Sequence, residues 1–66
     1  MHLTVNGEHR AVADGVNVAE LVTELGGRNR GVAVAVNGTV VPRSAWVGTP
    51  LHDGDTIEVL TAVQGG

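Results

Sequence analysis

Four short turn signals cut this chain into segments that suit strands or one small helix: Asn6-Gly7, Asp14-Gly15, Asn37-Gly38 and Asp53-Gly54-Asp55. An Asn-Gly pair favours a two-residue hairpin turn, because both turn positions need positive φ and these two residue types reach it at least cost. Leu3-Thr4-Val5 alternates ahead of the first pair, and Glu8 to Ala13 reads as its return strand. Val32-Ala33-Val34-Ala35-Val36 is a strand with valines on one face and alanines on the other. The valine face belongs to the core, and the alanine face is flat. Asn37-Gly38 then leads into Thr39-Val40-Val41, which Pro42 ends because it has no N–H to donate. Ser44-Ala45-Trp46 reads as an irregular turn or a single helical turn. After Asp53-Gly54-Asp55 comes the final strand, the alternating run from Thr56 to Val63.

Between the first hairpin and the valine strand, the periodicity changes. Asn17 is a helix N-cap by type, and Glu20 three residues on completes a capping-box pattern. Val18, Leu21, Val22 and Leu25 fall at i, i+3, i+4 and i+7, one face of a short helix. Gly26 is a natural stop. Gly27 to Gly31 forms a polar loop carrying Arg28 and Arg30. A hairpin crossing through one helix into further strands gives an α+β roll of the β-grasp type. Its mixed sheet has four to five strands, with one main helix across one face. Residues 1–66 make a single domain, with 64–66 expected as a flexible tail.

A chain of 66 residues without cysteine has no disulfide staple, no thiol nucleophile and no thiolate metal ligand. Its stability must come from one apolar core, in which β-branched valine favours strands. The net charge is −3, lysine is absent, and the cationic side chains are Arg10, Arg28, Arg30 and Arg43. That balance argues against nucleic acid, which calls for a basic face. The apolar runs are too short to span a bilayer, and Met1-His2-Leu3-Thr4-Val5 does not read as a signal peptide. The expectation is a cytoplasmic protein, monomeric when alone.

The last strand runs into Gly65-Gly66. A tail without side chains can enter a channel too narrow for any other residue type, and glycine reaches backbone angles closed to the rest. From Gln64 onward it reaches roughly 10 Å at full extension. The terminal carboxylate, with an ordinary pKa of about 3.3–3.7, is anionic at neutral pH and can attack an activated phosphate.

The ordered set Val36-Asn37-Gly38, Val40-Val41-Pro42-Arg43, Trp46, Asp53-Gly54-Asp55 with Ile57, and Ala62-Val63-Gln64-Gly65-Gly66 resembles the ubiquitin-like sulfur carriers of bacteria. Within that group the chain looks like the ThiS family of thiamine biosynthesis. The resemblance implies that a ThiF-type partner uses ATP and magnesium to adenylate the Gly66 carboxylate. It implies next that a persulfide, loaded by a donor such as a cysteine desulfurase, displaces AMP and leaves a thiocarboxylate. Thiazole synthase, ThiG, would then take up the sulfur. On this reading the chain binds no cofactor and supplies no catalytic residue. Gly66 is the modified residue, and Gly65 and Gln64 thread with it into the partner.

The same strand phase turns Glu58, Leu60 and Ala62 away from the helix, with Ile57, Val59 and Thr61 on the core side. Ala33 and Ala35 share the outer face. Leu60, Ala62, Ala33 and Ala35 therefore form an apolar patch at the base of the tail, a candidate docking surface. His2, His9 and His52 are scattered and lack ligand spacing, so they read as surface or turn residues. Ser44, His52 and the aspartates have the residue types of a hydrolase triad, without a nucleophile-elbow motif. Arg43 reads as structural, bonding loop carbonyls, and Trp46 as a cap on the edge of the core. Rival functions are the small subunit of molybdopterin synthase and a carrier for cysteine or a specialised metabolite. A regulatory RNA- or protein-binding module belongs to a different class, and the lack of stacking aromatics speaks against RNA.

Overall fold

The computed structural model describes residues 1–26 and 31–61. Both Asn-Gly pairs make the expected turns: Asn6 and Gly7 have φ of 52° and 83°, and Asn37 and Gly38 have 51° and 84°. The first joins β1 (His2–Val5) to β2 (Glu8–Ala11), and the second joins β3 (Val32–Val36) to β4 (Thr39–Val41). The expected return strand Glu8 to Ala13 is shorter than its sequence suggests. Strand pairing ends at His2↔Ala11, and beyond it Met1 and Val12 exchange backbone bonds, the Met1 ammonium donating to the Val12 carbonyl at 2.8 Å. Val12 also buries its side chain and donates its N–H to the Met1 carbonyl.

Helix α1 (Val18–Glu24) carries the full capping box. Asn17 Oδ1 accepts from the Glu20 N–H at 2.8 Å, and Glu20 Oε1 accepts from the Asn17 N–H at 3.0 Å. These bonds satisfy amides that have no partner inside the helix. Val18, Leu21 and Val22 are buried, and Leu25 is half-buried at the C-cap. Gly26, at φ 76°, closes the last turn by donating to the Thr23 carbonyl. The helix lays its buried side chains against Leu3, Val5, Val34 and Ile57 in a single core that also takes in Val12, Val16, Trp46 and Leu51.

Strand β5 (Thr56–Thr61) completes a five-stranded sheet in the order β2-β1-β5-β3-β4. It runs parallel to β1 and antiparallel to β3. This is a mixed sheet with one main helix across one face, the β-grasp roll expected from the order of elements. A 3₁₀ turn, Arg43–Ala45, follows Pro42. Trp46 lies deeper than an edge cap, at 4% exposure, with Nε1 donating to the Val41 carbonyl. A large aromatic that satisfies its one polar atom can enter a core otherwise built from small aliphatics. No bond from the Arg43 side chain to a loop carbonyl is found among the described residues. The Arg43 backbone carbonyl accepts from the Trp46 N–H. No helix among the described residues is long and apolar enough to cross a membrane.

Candidate functional site

The strand that leads to the C-terminal residues is the central strand of the sheet. On one edge β3 pairs with it from Val36↔Ile57 to Val32↔Thr61. On the other edge β1 pairs with it at Thr4↔Thr56 and Val5↔Ile57. Ile57 between them is wholly buried, Val59 is half-buried, and Glu58 and Leu60 face outward, as their alternation predicts. Thr61, expected on the core side, is exposed because it lies past the end of the buried cluster.

The outer face presents the apolar patch. Ala33 stands opposite Leu60, and Ala35 stands between Glu58 and Val40. Leu60 and Val40 are 68% and 71% exposed, Ala33 is exposed and Ala35 is half-buried. Of the predicted site residues, the structure thus brings Leu60, Ala33 and Ala35 together. Ala62, Gln64, Gly65 and Gly66 lie outside the described residues, as do Arg28 and Arg30.

Two asparagines fasten β5, and sequence reasoning assigned them to the turns alone. Asn37 Oδ1 accepts from the Thr56 N–H at 2.9 Å, and its Nδ2 donates to Asp55 Oδ1 at 3.0 Å. Asn6 Oδ1 accepts from the Val59 N–H at 2.8 Å, and its Nδ2 donates to the Val59 carbonyl at 3.0 Å. Asn6 and Val59 are 53 positions apart, so no local pattern announces the contact. The turn conformation alone accounts for an Asn before Gly, which left no residual signal for a second role.

Asp55 holds the start of β5. Burial raises the pKa of its carboxyl, but the Asn37 side chain, the His52 N–H at 2.8 Å and the nearby His52 ring together outweigh it. The net effect is a pKa below the ordinary carboxylate value. A group with a depressed folded pKa stabilises fully above its unfolded value, about 3.9, and loses that contribution as pH falls through the folded value. Asp55→Ala should therefore cost about 1.5–3 kcal/mol at pH 7, the usual range for hydrogen bonds to a charged group. In strong acid the difference from the unsubstituted chain should shrink. Urea midpoints at neutral and acid pH check this, and an equal gap at both would contradict it.

His2 and His9 sit on β1 and β2, and His52 sits in the turn before β5, with Nδ1 3.8 Å from Asp55 Oδ2. Among the described residues no three His, Cys, Asp or Glu side chains form a group that could hold a metal ion.

The chain has the fold and the exposed sheet face of a ubiquitin-like β-grasp domain. The sequence pattern of the ThiS family matches residues 3–66, and the chain belongs to that family. It is 35% identical over 66 residues to the sulfur carrier protein ThiS of Escherichia coli, covering all of both chains. It is 38% identical over 66 residues to a thiazole synthase of Paramagnetospirillum magneticum, of which it spans only 20% of the length. The crystal structure of the thiamine biosynthesis protein ThiS from Geobacter metallireducens superposes with a TM-score of 0.85 at 40% identity, over the whole of both chains.

Proposed function

We propose that this chain is a sulfur carrier of thiamine biosynthesis that works through the carboxylate of Gly66. The observation that carries the reading is the end-to-end match to the Escherichia coli carrier, 35% identical over 66 residues. It is supported by a central strand, pinned on both edges, that heads toward Gly65-Gly66.

The chemistry requires little of the chain itself. A carboxylate is a poor acyl donor because its oxygen leaves badly. A ThiF-type partner with ATP and magnesium lets a Gly66 carboxylate oxygen attack the α-phosphorus, and pyrophosphate leaves. The acyl adenylate now has a good leaving group. A donor persulfide, loaded by a cysteine desulfurase, attacks the acyl carbon and AMP departs. A thiol then attacks the resulting sulfur–sulfur bond, leaving a thiocarboxylate on Gly66 and a disulfide on the donor side. The thiocarboxylate is a soft anion and gives its sulfur to thiazole synthase. The relative whose longer chain includes a segment like this one is itself called a thiazole synthase, which supports that enzyme as the recipient. Gly65 and Gln64 follow Gly66 into the partner's channel, where the side-chain-free glycines meet least obstruction. No side chain of this protein needs to titrate or attack, so the chain is a protein co-substrate rather than an enzyme.

The outer face of β3 and β5 is where the adenylating partner docks. Leu60, Ala33 and Ala35 supply apolar area close to the tail, and Ala62 extends the run in sequence. Leu60→Glu should weaken binding to the adenylating enzyme by about tenfold or more, since burying a leucine contributes roughly 1.5–3 kcal/mol. The fold should survive, because Leu60 is 68% exposed. Titration calorimetry with the partner measures the loss, and unchanged affinity would remove Leu60 from the interface. The reading as a whole is tested by thiocarboxylate formation on Gly66 and by sulfur transfer from it in a reconstituted thiazole synthase reaction.

A further inference from the structure

Strand β1 ends at Val5, opposite Ile57, and the chain turns away at Asn6. The carboxamide of Asn6 takes over where the backbone of β1 stops. The Asn6 N–H donates to the Ile57 carbonyl at 2.9 Å. Its side chain then makes both bonds that two further peptide units of a continued strand would make, accepting from the Val59 N–H at 2.8 Å and donating to the Val59 carbonyl at 3.0 Å. The parallel ladder is thereby prolonged by one rung. On the opposite edge, β3 pairs with Val59 through Val34. Val59 thus gives both backbone polar groups to Asn6 and lies beside Val34 of β3, two residues before the last described position of β5.

We propose that Asn6 is a positioning residue for the carrier reaction, fixing the point from which the C-terminal segment departs toward the partner's active site. The inference rests on the reading of the chain as a carrier acting through Gly66. Its physical basis is that a tail threaded into a distant catalytic centre multiplies any error at its root, and a displacement of about 1 Å can cost up to about a hundredfold in rate. A turn residue alone would need only positive φ, which glycine supplies without strain. Asn6→Gly therefore keeps the hairpin and deletes the clamp. Asn6→Asp keeps the acceptor for the Val59 N–H and loses the donor. Asn37→Gly is the matched control. It deletes a comparable pair of bonds at Thr56 and Asp55, at the opposite end of β5 from the tail.

The test measures steady-state adenylation of each chain by the ThiF-type enzyme, alongside amide hydrogen exchange of the chains alone. Asn6→Gly should lower kcat by about tenfold with KM changed less than about twofold, because the docking face persists while fewer docked tails are aligned. Asn6→Asp should fall between it and the unsubstituted chain. The Val59 amide should exchange at least about tenfold faster in Asn6→Gly. Asn37→Gly should leave kcat within about twofold and speed exchange at Thr56 instead. An unsubstituted kcat in Asn6→Gly would overturn the positioning role alone. An equal kcat loss in Asn6→Gly and Asn37→Gly would also overturn it, since general loosening of β5 would then explain both. Failure of the unsubstituted chain to be adenylated would instead count against the carrier reading, and the positioning role would fall with it.

Discussion

Deleting Gly66 should abolish thiocarboxylate formation while leaving the fold and its stability unchanged. The deleted chain still ends in a carboxylate, now on Gly65, so the chemistry of the group is conserved. Its reach is not, because one residue of extended chain spans about 3.3–3.6 Å. In-line attack on a phosphorus atom requires reacting atoms within about 3–3.5 Å, so a shortfall of one residue places the carboxylate out of range. Gly65→Val should be nearly as damaging for a different reason. It restores the length but puts a branched side chain in the channel. Together the two variants separate reach from width. Intact mass after incubation with partner, ATP and sulfur donor reads both, and thermal melting confirms that the fold is unaffected. A deleted chain that loads at the normal rate would remove Gly66 from the chemistry.

The second large effect is on stability. Ile57→Ala should cost about 2–5 kcal/mol, the range for deleting three buried carbons and leaving a cavity. Ile57 is fully buried and pairs with Val5 on one side and Val36 on the other, at the centre of the sheet. A domain of 66 residues has about 3–10 kcal/mol in total, so this one change removes much of it. For a domain this small the melting temperature should fall by at least about 10 °C. The outward neighbour supplies the contrast. Leu60→Ala, on the exposed face, should move the melting temperature little. Equal losses at the two positions would mean that the strand phase assigned to β5 is wrong.

Most of this architecture is written locally, which is why it could be read. The capping box needs only Asn17 and Glu20, three residues apart, and forms as their types predict. The Asn-Gly turns need only two adjacent residues each, and their φ values follow. The outward placement of Leu60 and Ala33 follows from strict alternation along β5 and β3. What escaped the sequence depends on contacts that no local residue pattern announces. The return strand ends at Ala11, where pairing with His2 gives way to backbone bonds between Val12 and Met1, a limit that no residue in Glu8 to Ala13 encodes. Trp46 enters the core because the Val41 carbonyl is there to accept its N–H. The second roles of Asn6 and Asn37 depend on β5 arriving beside turns made many residues earlier. The candidate site shows the same division. The exposed patch follows from periodicity, whereas the Asn6 clamp near the end of β5 and the Asn37 clamp at its start required the fold.

The central claim is that the Gly66 carboxylate is the carrier group, and intact-protein mass tests it most directly. The chain is incubated with a ThiF-type enzyme, ATP, magnesium and a persulfide donor, with a chain lacking Gly66 alongside. The expected result is a mass gain equal to the exchange of one oxygen for one sulfur, confined to the C-terminal fragment and absent from the deleted chain. No gain, from an enzyme shown to load another carrier, would contradict it.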